Sequence, residues 1–243
     1  MPKYQLDEMY FDEIDSSDKA YWMGFIWCDG YVCKRNRGTL TSYEFKLSLT
    51  EVDAEHLDKF KECLSSDIPI RRYDISGFET KNKEVRLLIA RKIFAEKLYS
   101  KYGLKPHRSD SSDVISKIPR EYYRDFLRGV FDADGSIISR VIHYKSISRK
   151  EFSISLSATE SLVVFFNDTL IREGLTETNY LITSRHEGRD GSCRSIRITG
   201  NNVVLKILNW LYCNNSASLS RKESSYIAIA EYMDEYRGEK CNV

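Results

Sequence analysis

Polar and apolar residues alternate along several stretches of the chain in the pattern of strands with one buried face. Between Tyr43 and Thr50, Phe45, Leu47 and Leu49 alternate with Lys46, Ser48 and Thr50, a period of two that predicts a strand with one apolar and one polar face. Phe152, Ile154 and Leu156 alternate with Ser153, Ser155 and Ser157 in the same way. Elsewhere the period lengthens to that of a helix. Leu57, Phe60, Lys61 and Leu64 mark a helix over 53–64, and Leu162, Val163, Phe166 and Leu170 mark another. Further strands are predicted at 31–37, 68–76, 84–90, 136–146, 179–184 and 193–198, and further helices at 92–102, 202–212 and 221–236. Each half of the chain reads α-β-β-α-β-β-α, with the last helix an extra element of the second half.

The halves are repeats. Ala20-Tyr21-Trp22-Met23-Gly24-Phe25-Ile26-Trp27-Cys28-Asp29-Gly30 aligns with Asp125-Phe126-Leu127-Arg128-Gly129-Val130-Phe131-Asp132-Ala133-Asp134-Gly135. Both contain an apolar run, a glycine, two bulky apolar residues, a small residue and a final Asp-Gly. The final acids are 134 − 29 = 105 residues apart, and Phe60/Phe166 and Leu64/Leu170 keep an offset of 106. Each copy reads as a helix that stops at an acid. Ser17 and Asp18 are expected to cap the first, Pro119 to occupy the first helical position of the second, and Gly30 and Gly135 to end both in the left-handed conformation. Gly24 and Cys28, like Gly129 and Ala133, place small residues four apart on one face, which lets two helix backbones approach closely. Such packing would gather Asp29 and Asp134 at the negative ends of two helix dipoles, a cost that a divalent cation relieves. Carboxylate oxygens suit Mg²⁺.

These two stretches resemble the signature motifs of the LAGLIDADG homing endonucleases. The second copy is a close match; the first carries Trp27 at the sixth position and Cys28 at the seventh, and both keep the acid before the glycine. The resemblance implies an α+β fold of two pseudo-symmetric halves, 1–103 (with an N-terminal arm, 1–16) and 118–243, joined by a polar linker at 104–117. Each half would contribute a four-stranded antiparallel sheet to a saddle-shaped groove for duplex DNA. The implied activity is site-specific, metal-dependent hydrolysis of both DNA strands by one monomer. Mg²⁺ is the expected cofactor, with Ca²⁺ or Mn²⁺ able to substitute for binding or cleavage. Asp29 and Asp134 would hold the metal, aided by the backbone carbonyls of Cys28 and Ala133. A basic residue late in each half would tune the water network: Lys105 or Arg108, and Arg221 or Lys222. Glu51 and Ser157 fall near another polar position of the site. The groove candidates are Arg35, Arg37, Lys46, Arg71, Arg72, Lys83, Arg86, Arg140, Lys145, Arg185, Arg189 and Arg197. The same scaffold also supports two non-cleaving roles, an RNA-binding intron-splicing cofactor (with intron RNA as partner) and a DNA-binding regulator; loss of an acid would favour these, and both acids are present.

Composition narrows the classes without choosing among them. The net charge of +1 argues against a general nucleic-acid coat and requires that basic residues be segregated onto one face. The six cysteines, at 28, 33, 63, 193, 213 and 241, form no C-x-x-C pair, so reduced thiols in the cytoplasm or an organellar matrix are expected. The N-terminal stretch lacks the features of a signal peptide, and no apolar run reaches membrane-spanning length. The four histidines, at 56, 107, 143 and 186, lack the spacing of a single-metal histidine nuclease, and no phosphate-binding glycine loop or serine nucleophile elbow is present.

Overall fold

The computed structural model describes residues 3–76, 81–144, 147–184 and 193–241. In chain order the elements are α1 (Ser17–Asp29), β1 (Gly30–Arg37), β2 (Leu40–Thr50), α2 (Ala54–Cys63), β3 (Arg71–Ser76), β4 (Lys81–Ile89), α3 (Lys92–Ser100), α4 (Ser112–Ile115), α5 (Tyr123–Asp134), β5 (Gly135–Tyr144), β6 (Ile147–Thr159), α6 (Glu160–Arg172), β7 (Ile182–Ser184), β8 (Cys193–Thr199), α7 (Asn201–Tyr212) and α8 (Ser220–Cys241). The two sheets have the same antiparallel topology, β1-β2-β4-β3 and β5-β6-β8-β7. The fold is therefore α+β with a repeated half, as the alternation predicts.

In the first sheet Phe45, Leu47 and Leu49 of β2 and Val85, Leu87 and Ile89 of β4 point into the core, and α2 and α3 pack against that face. The Phe45 ring meets Phe60 of α2 at 6.2 Å and Phe94 of α3 at 5.7 Å. The N-terminal arm closes this core. Phe11 is buried beside Phe94, the Tyr102 hydroxyl donates to the Phe11 carbonyl at 3.1 Å, and the Asp7 amide donates to the Leu64 carbonyl. In the second sheet Phe152, Ile154 and Leu156 of β6 and Ile196 and Ile198 of β8 are buried beneath α6 and α7. The added helix α8 covers α7, with Tyr226 stacked on Tyr212 at 5.6 Å.

The boundary between halves differs from the sequence expectation. Contacts divide the chain into one compact unit of Met1–Arg108 with Ser112–Ala133, and another of Ser109–Ser111 with Asp134–Val243. Helix α5 joins the first unit because it packs on α1 through glycines. A Cβ at Gly24 would lie 2.1 Å from the Phe126 carbonyl oxygen, and one at Gly129 would lie 2.0 Å from that of Tyr21. Two backbones in direct contact leave no room for any side chain. The stretch 104–117 is also more than a tether. Leu104 is buried and its carbonyl accepts from the Val32 amide, α4 forms within the stretch, and the buried Ser111 hydroxyl lies 2.7 Å from Thr159 Oγ1.

Three capping expectations are corrected. Ser16 caps α1, its hydroxyl accepting from the Lys19 amide, so the helix starts one residue earlier than the Ser17/Asp18 reading allowed. Pro119 precedes a single 3₁₀ turn, Arg120–Tyr122, from which α5 continues at Tyr123. Gly30 and Gly135 are not left-handed. Gly30 has φ −100° and ψ 162°, Gly135 is absent from the positive-φ positions, and each is the first residue of a strand. Gly30 answers to close approach, since a Cβ there would meet the Ile26 carbonyl oxygen at 2.7 Å. The chain thus passes from helix to strand directly behind each motif acid.

Candidate functional site

Asp29 is the last residue of α1 and Asp134 the last of α5. The carbonyls of Cys28 and Ala133 belong to those last turns. Asp29 is half-buried and Asp134 is exposed, so both carboxylates are reachable from solvent. Among the described residues no cluster of three or more His, Cys, Asp or Glu is placed to hold a metal ion.

Each half supplies a cation directly behind its acid. In the first unit Arg108 donates to the Gly30 carbonyl at 3.0 Å and to the Trp27 carbonyl. Its guanidinium lies 4.8 Å from the centre of the Trp27 ring. In the second unit Lys222, only 4% exposed, donates to the Gly135 carbonyl at 2.7 Å. The two sequence pairs are thereby separated by position. Lys105 sits over the Tyr99 ring at 5.3 Å and lends only its carbonyl to Arg108, while Arg221 is solvent-exposed in the first turn of α8. Glu51 accepts from Arg72 Nε at 3.0 Å, and the Ser157 hydroxyl lies 2.5 Å from that of Ser195.

The strand register sorts the groove candidates. Arg35, Lys46, Arg71 and Arg86 share the polar face of the first sheet, with Arg71 opposite Arg86 and Arg86 opposite Ser48. Arg37, at the end of β1, has the same parity as Arg35. Arg72 and Lys83 have the opposite parity: Arg72 is registered with the core residue Val85, and Lys83 lies two residues before it. In the second sheet Arg140 and Arg197 occupy the polar face, opposite Glu151 and Ser155. Lys145, Arg185 and Arg189 lie outside the described residues.

A buried polar cluster joins α1, α2 and α5 and escaped the sequence reading. The Tyr21 hydroxyl donates to Asp132 Oδ2 at 2.8 Å and lies 2.9 Å from His56 Nε2. Since that hydroxyl has one proton, it accepts from a protonated Nε2 of His56. Arg128, fully buried, pairs with Asp125 at 2.7 Å and lies over the Tyr21 ring at 5.2 Å. The i,i+3 spacing of Asp125 and Arg128 was visible in the sequence. The Tyr21–Asp132 bond spans 111 residues and had no local signal. Tyr21→Phe removes the donor and leaves the carboxylate buried. It is expected to lower unfolding free energy by about 1–3 kcal/mol, read from urea denaturation; an unchanged midpoint would show that the bond contributes nothing.

Comparison with known proteins places these features in a family context. Residues 121–208 match the family of LAGLIDADG-like domains. The whole chain is similar in fold to the meganuclease I-SmaMI, solved bound to uncleavable DNA, at 14% identity with 91% of each chain covered and a TM-score of 0.59. It is likewise similar to I-AabMI bound to uncleaved DNA, at 13% identity, 90% and 91% coverage and a TM-score of 0.55. For the I-LtrWI LAGLIDADG homing endonuclease bound to target DNA, the identity is 11%, each coverage 90% and the TM-score 0.55. No curated protein matches the sequence. The family match spans the second motif, Leu127–Gly135, and the chain shares the two-half fold of these meganucleases.

Proposed function

We propose that this chain, with a LAGLIDADG-like domain at 121–208 and a meganuclease fold throughout, is a monomeric, site-specific DNA endonuclease that cuts both strands of a long target with divalent metal. The observation that carries the reading is the repetition of one device. In each half a helix ends at an acid, a strand begins at the next glycine, and a buried or half-buried cation donates to that glycine's carbonyl. One device per half suits a duplex whose two strands are cut separately.

The donor set fits a hard cation in part. In each half the motif carboxylate and the helix-end carbonyl before it, of Cys28 or Ala133, offer oxygen ligands only, as Mg²⁺ prefers, and leave positions for water and scissile phosphates. One solved relative of this fold, I-SmaMI, has a complex containing calcium ions. A bound divalent ion would supply an activated water and neutralise charge on the phosphate. Arg108 and Lys222 fix the glycine carbonyls behind the acids, hold the helix-to-strand turn, and set positive charge beside it. The polar sheet faces, carrying Arg35, Lys46, Arg71, Arg86, Arg140 and Arg197, suit duplex DNA, since β-ribbons fit the major groove.

Incubation with a randomised duplex library and Mg²⁺, followed by sequencing of the cut ends, tests the reading. Recovery of one recurrent long site, with no cleavage in chelator, is the expected result. A protein that binds structured RNA and yields no cut DNA would replace it with the splicing-cofactor role.

A further inference from the structure

The polar sheet faces carry two kinds of cation. Arg71 and Arg197 form no ion pair among the described residues, and Arg197 donates to Ser153 Oγ at 3.1 Å; Lys46 lies over the Tyr31 ring at 5.8 Å and within electrostatic reach of Glu84. Arg35, Arg86 and Arg140 are each tied to a glutamate of the same face. Arg35 lies 3.7 Å from Glu44. Arg86 grips both oxygens of Glu84, at 2.5 and 3.0 Å, and is backed by the Tyr73 ring at 4.4 Å. Arg140 Nε lies 2.8 Å from Glu151, its register partner on the next strand. That guanidinium beside Glu84 holds its carboxyl below the usual carboxylate range, so the glutamate stays charged.

The two kinds meet DNA differently. An unpaired cation gains from any phosphate, whatever the sequence. A paired arginine brings its glutamate with it, and the carboxylate is then set against a polyanion. That repulsion is relieved only where a donor faces the carboxylate. A cytosine amino group is such a donor, and the guanine O6/N7 edge fits the arginine fork. Preformed Arg–Glu pairs therefore favour some base steps and penalise the rest, which is discrimination by repulsion.

We propose that Glu44, Glu84 and Glu151 are specificity-determining residues, each making its arginine's contact with DNA conditional on a base-edge donor. The inference rests on the DNA-binding reading above. It is tested with Glu84→Gln/Glu151→Gln, one substitution in each half, which keeps shape and acceptor oxygen and removes charge. Binding of wild type and variant to an arbitrary-sequence duplex is measured across salt, and bound sequences are selected from a random duplex library in Ca²⁺. The variant is expected to bind arbitrary duplex about tenfold more tightly at low salt, with a log–log salt slope steeper by about one unit per glutamate removed, and to select a broader set of sequences. Arg71→Ala, the comparison, should weaken all sequences alike and leave the selected set unchanged. A variant with wild-type or weaker binding to arbitrary duplex and an unchanged selected set overturns the proposal. A wild-type protein that fails to bind any duplex overturns the DNA-binding reading together with it.

Discussion

Asp29→Asn or Asp134→Asn is expected to abolish double-strand cleavage and leave duplex binding in place. An amide oxygen is a much poorer ligand for Mg²⁺ than a carboxylate. The metal is asked for several kcal/mol of charge stabilisation, so losing it should cost about a hundred- to a thousandfold in rate or more. Binding survives because the sheet faces, and not the acids, carry the cations. The same substitutions should raise stability in chelator. Each acid sits at a helix C-terminus, where an anion opposes the dipole by about 0.3–1 kcal/mol, and the substitution removes that cost. Asp132 provides the contrast. It is fully buried and accepts from Tyr21; Asn keeps an acceptor oxygen there, and the first motif carries Trp27 at the matching position. Asp132→Asn should therefore still cut, with a modest loss of stability of about 1 kcal/mol. Plasmid nicking and linearisation, gel shifts in Ca²⁺ and melting in EDTA read all three variants. Full cleavage by either motif-acid variant would remove the acids from the chemistry. Dead cleavage with a normally folded Asp132→Asn would move the role to the buried acid.

The repeat was legible because its signals are local. Alternation over β2 and β6, helical spacing over α2 and α6, and two glycine-containing motifs each lie within about a dozen residues. The basic residues behind the acids could be narrowed only to pairs, since Lys105 and Arg108, or Arg221 and Lys222, are equivalent in sequence. The fold chose Arg108 and Lys222 as the ones that reach the glycine carbonyls. Strand parity sorts the groove set. Adjacent residues on a strand face opposite ways, so Arg71 and Arg72 could not both belong to the polar face, and the register gives it to Arg71. The glycine after each acid was misread for a related reason: Asp-Gly is a helix-stop signal, but here the following strand takes up the chain in extended conformation. The Tyr21–His56–Asp132 cluster needs three elements brought together by tertiary packing, and no spacing rule reaches across 111 residues.

Gly24→Ala and Gly129→Ala are expected to destabilise the protein more than most single-methyl additions. A new Cβ at residue 24 would stand 2.1 Å from the Phe126 carbonyl oxygen and 3.0 Å from the Val130 nitrogen; one at residue 129 would stand 2.0 Å from the Tyr21 oxygen and 2.8 Å from the Phe25 nitrogen. These obstacles are helix backbone, so no rotamer change can relieve them. The helices must separate, which loosens Phe25, Ile26, Phe126, Val130 and Phe131, all buried in this unit. Overpacking of a tight core costs about 1–3 kcal/mol and sometimes more, against a gain of about 1 kcal/mol from exchanging glycine for alanine in a helix. Contact with backbone on both sides places these sites at the upper end, a net loss of about 2 kcal/mol, or roughly 4–8 °C in Tm for a chain of this size. Because both glycines sit at one crossing, the double variant should lose less than the sum of the singles: once the first methyl has parted the helices, the second finds space. Gly38→Ala is the comparison. Gly38 has φ +60° and open space around it, so its substitution carries only backbone strain, about 1–2 kcal/mol. Calorimetric melting of the four variants reads the order. Wild-type Tm values for Gly24→Ala and Gly129→Ala would show that the α1–α5 backbones are not in contact, and a strictly additive double variant would show that the two glycines do not share one crossing.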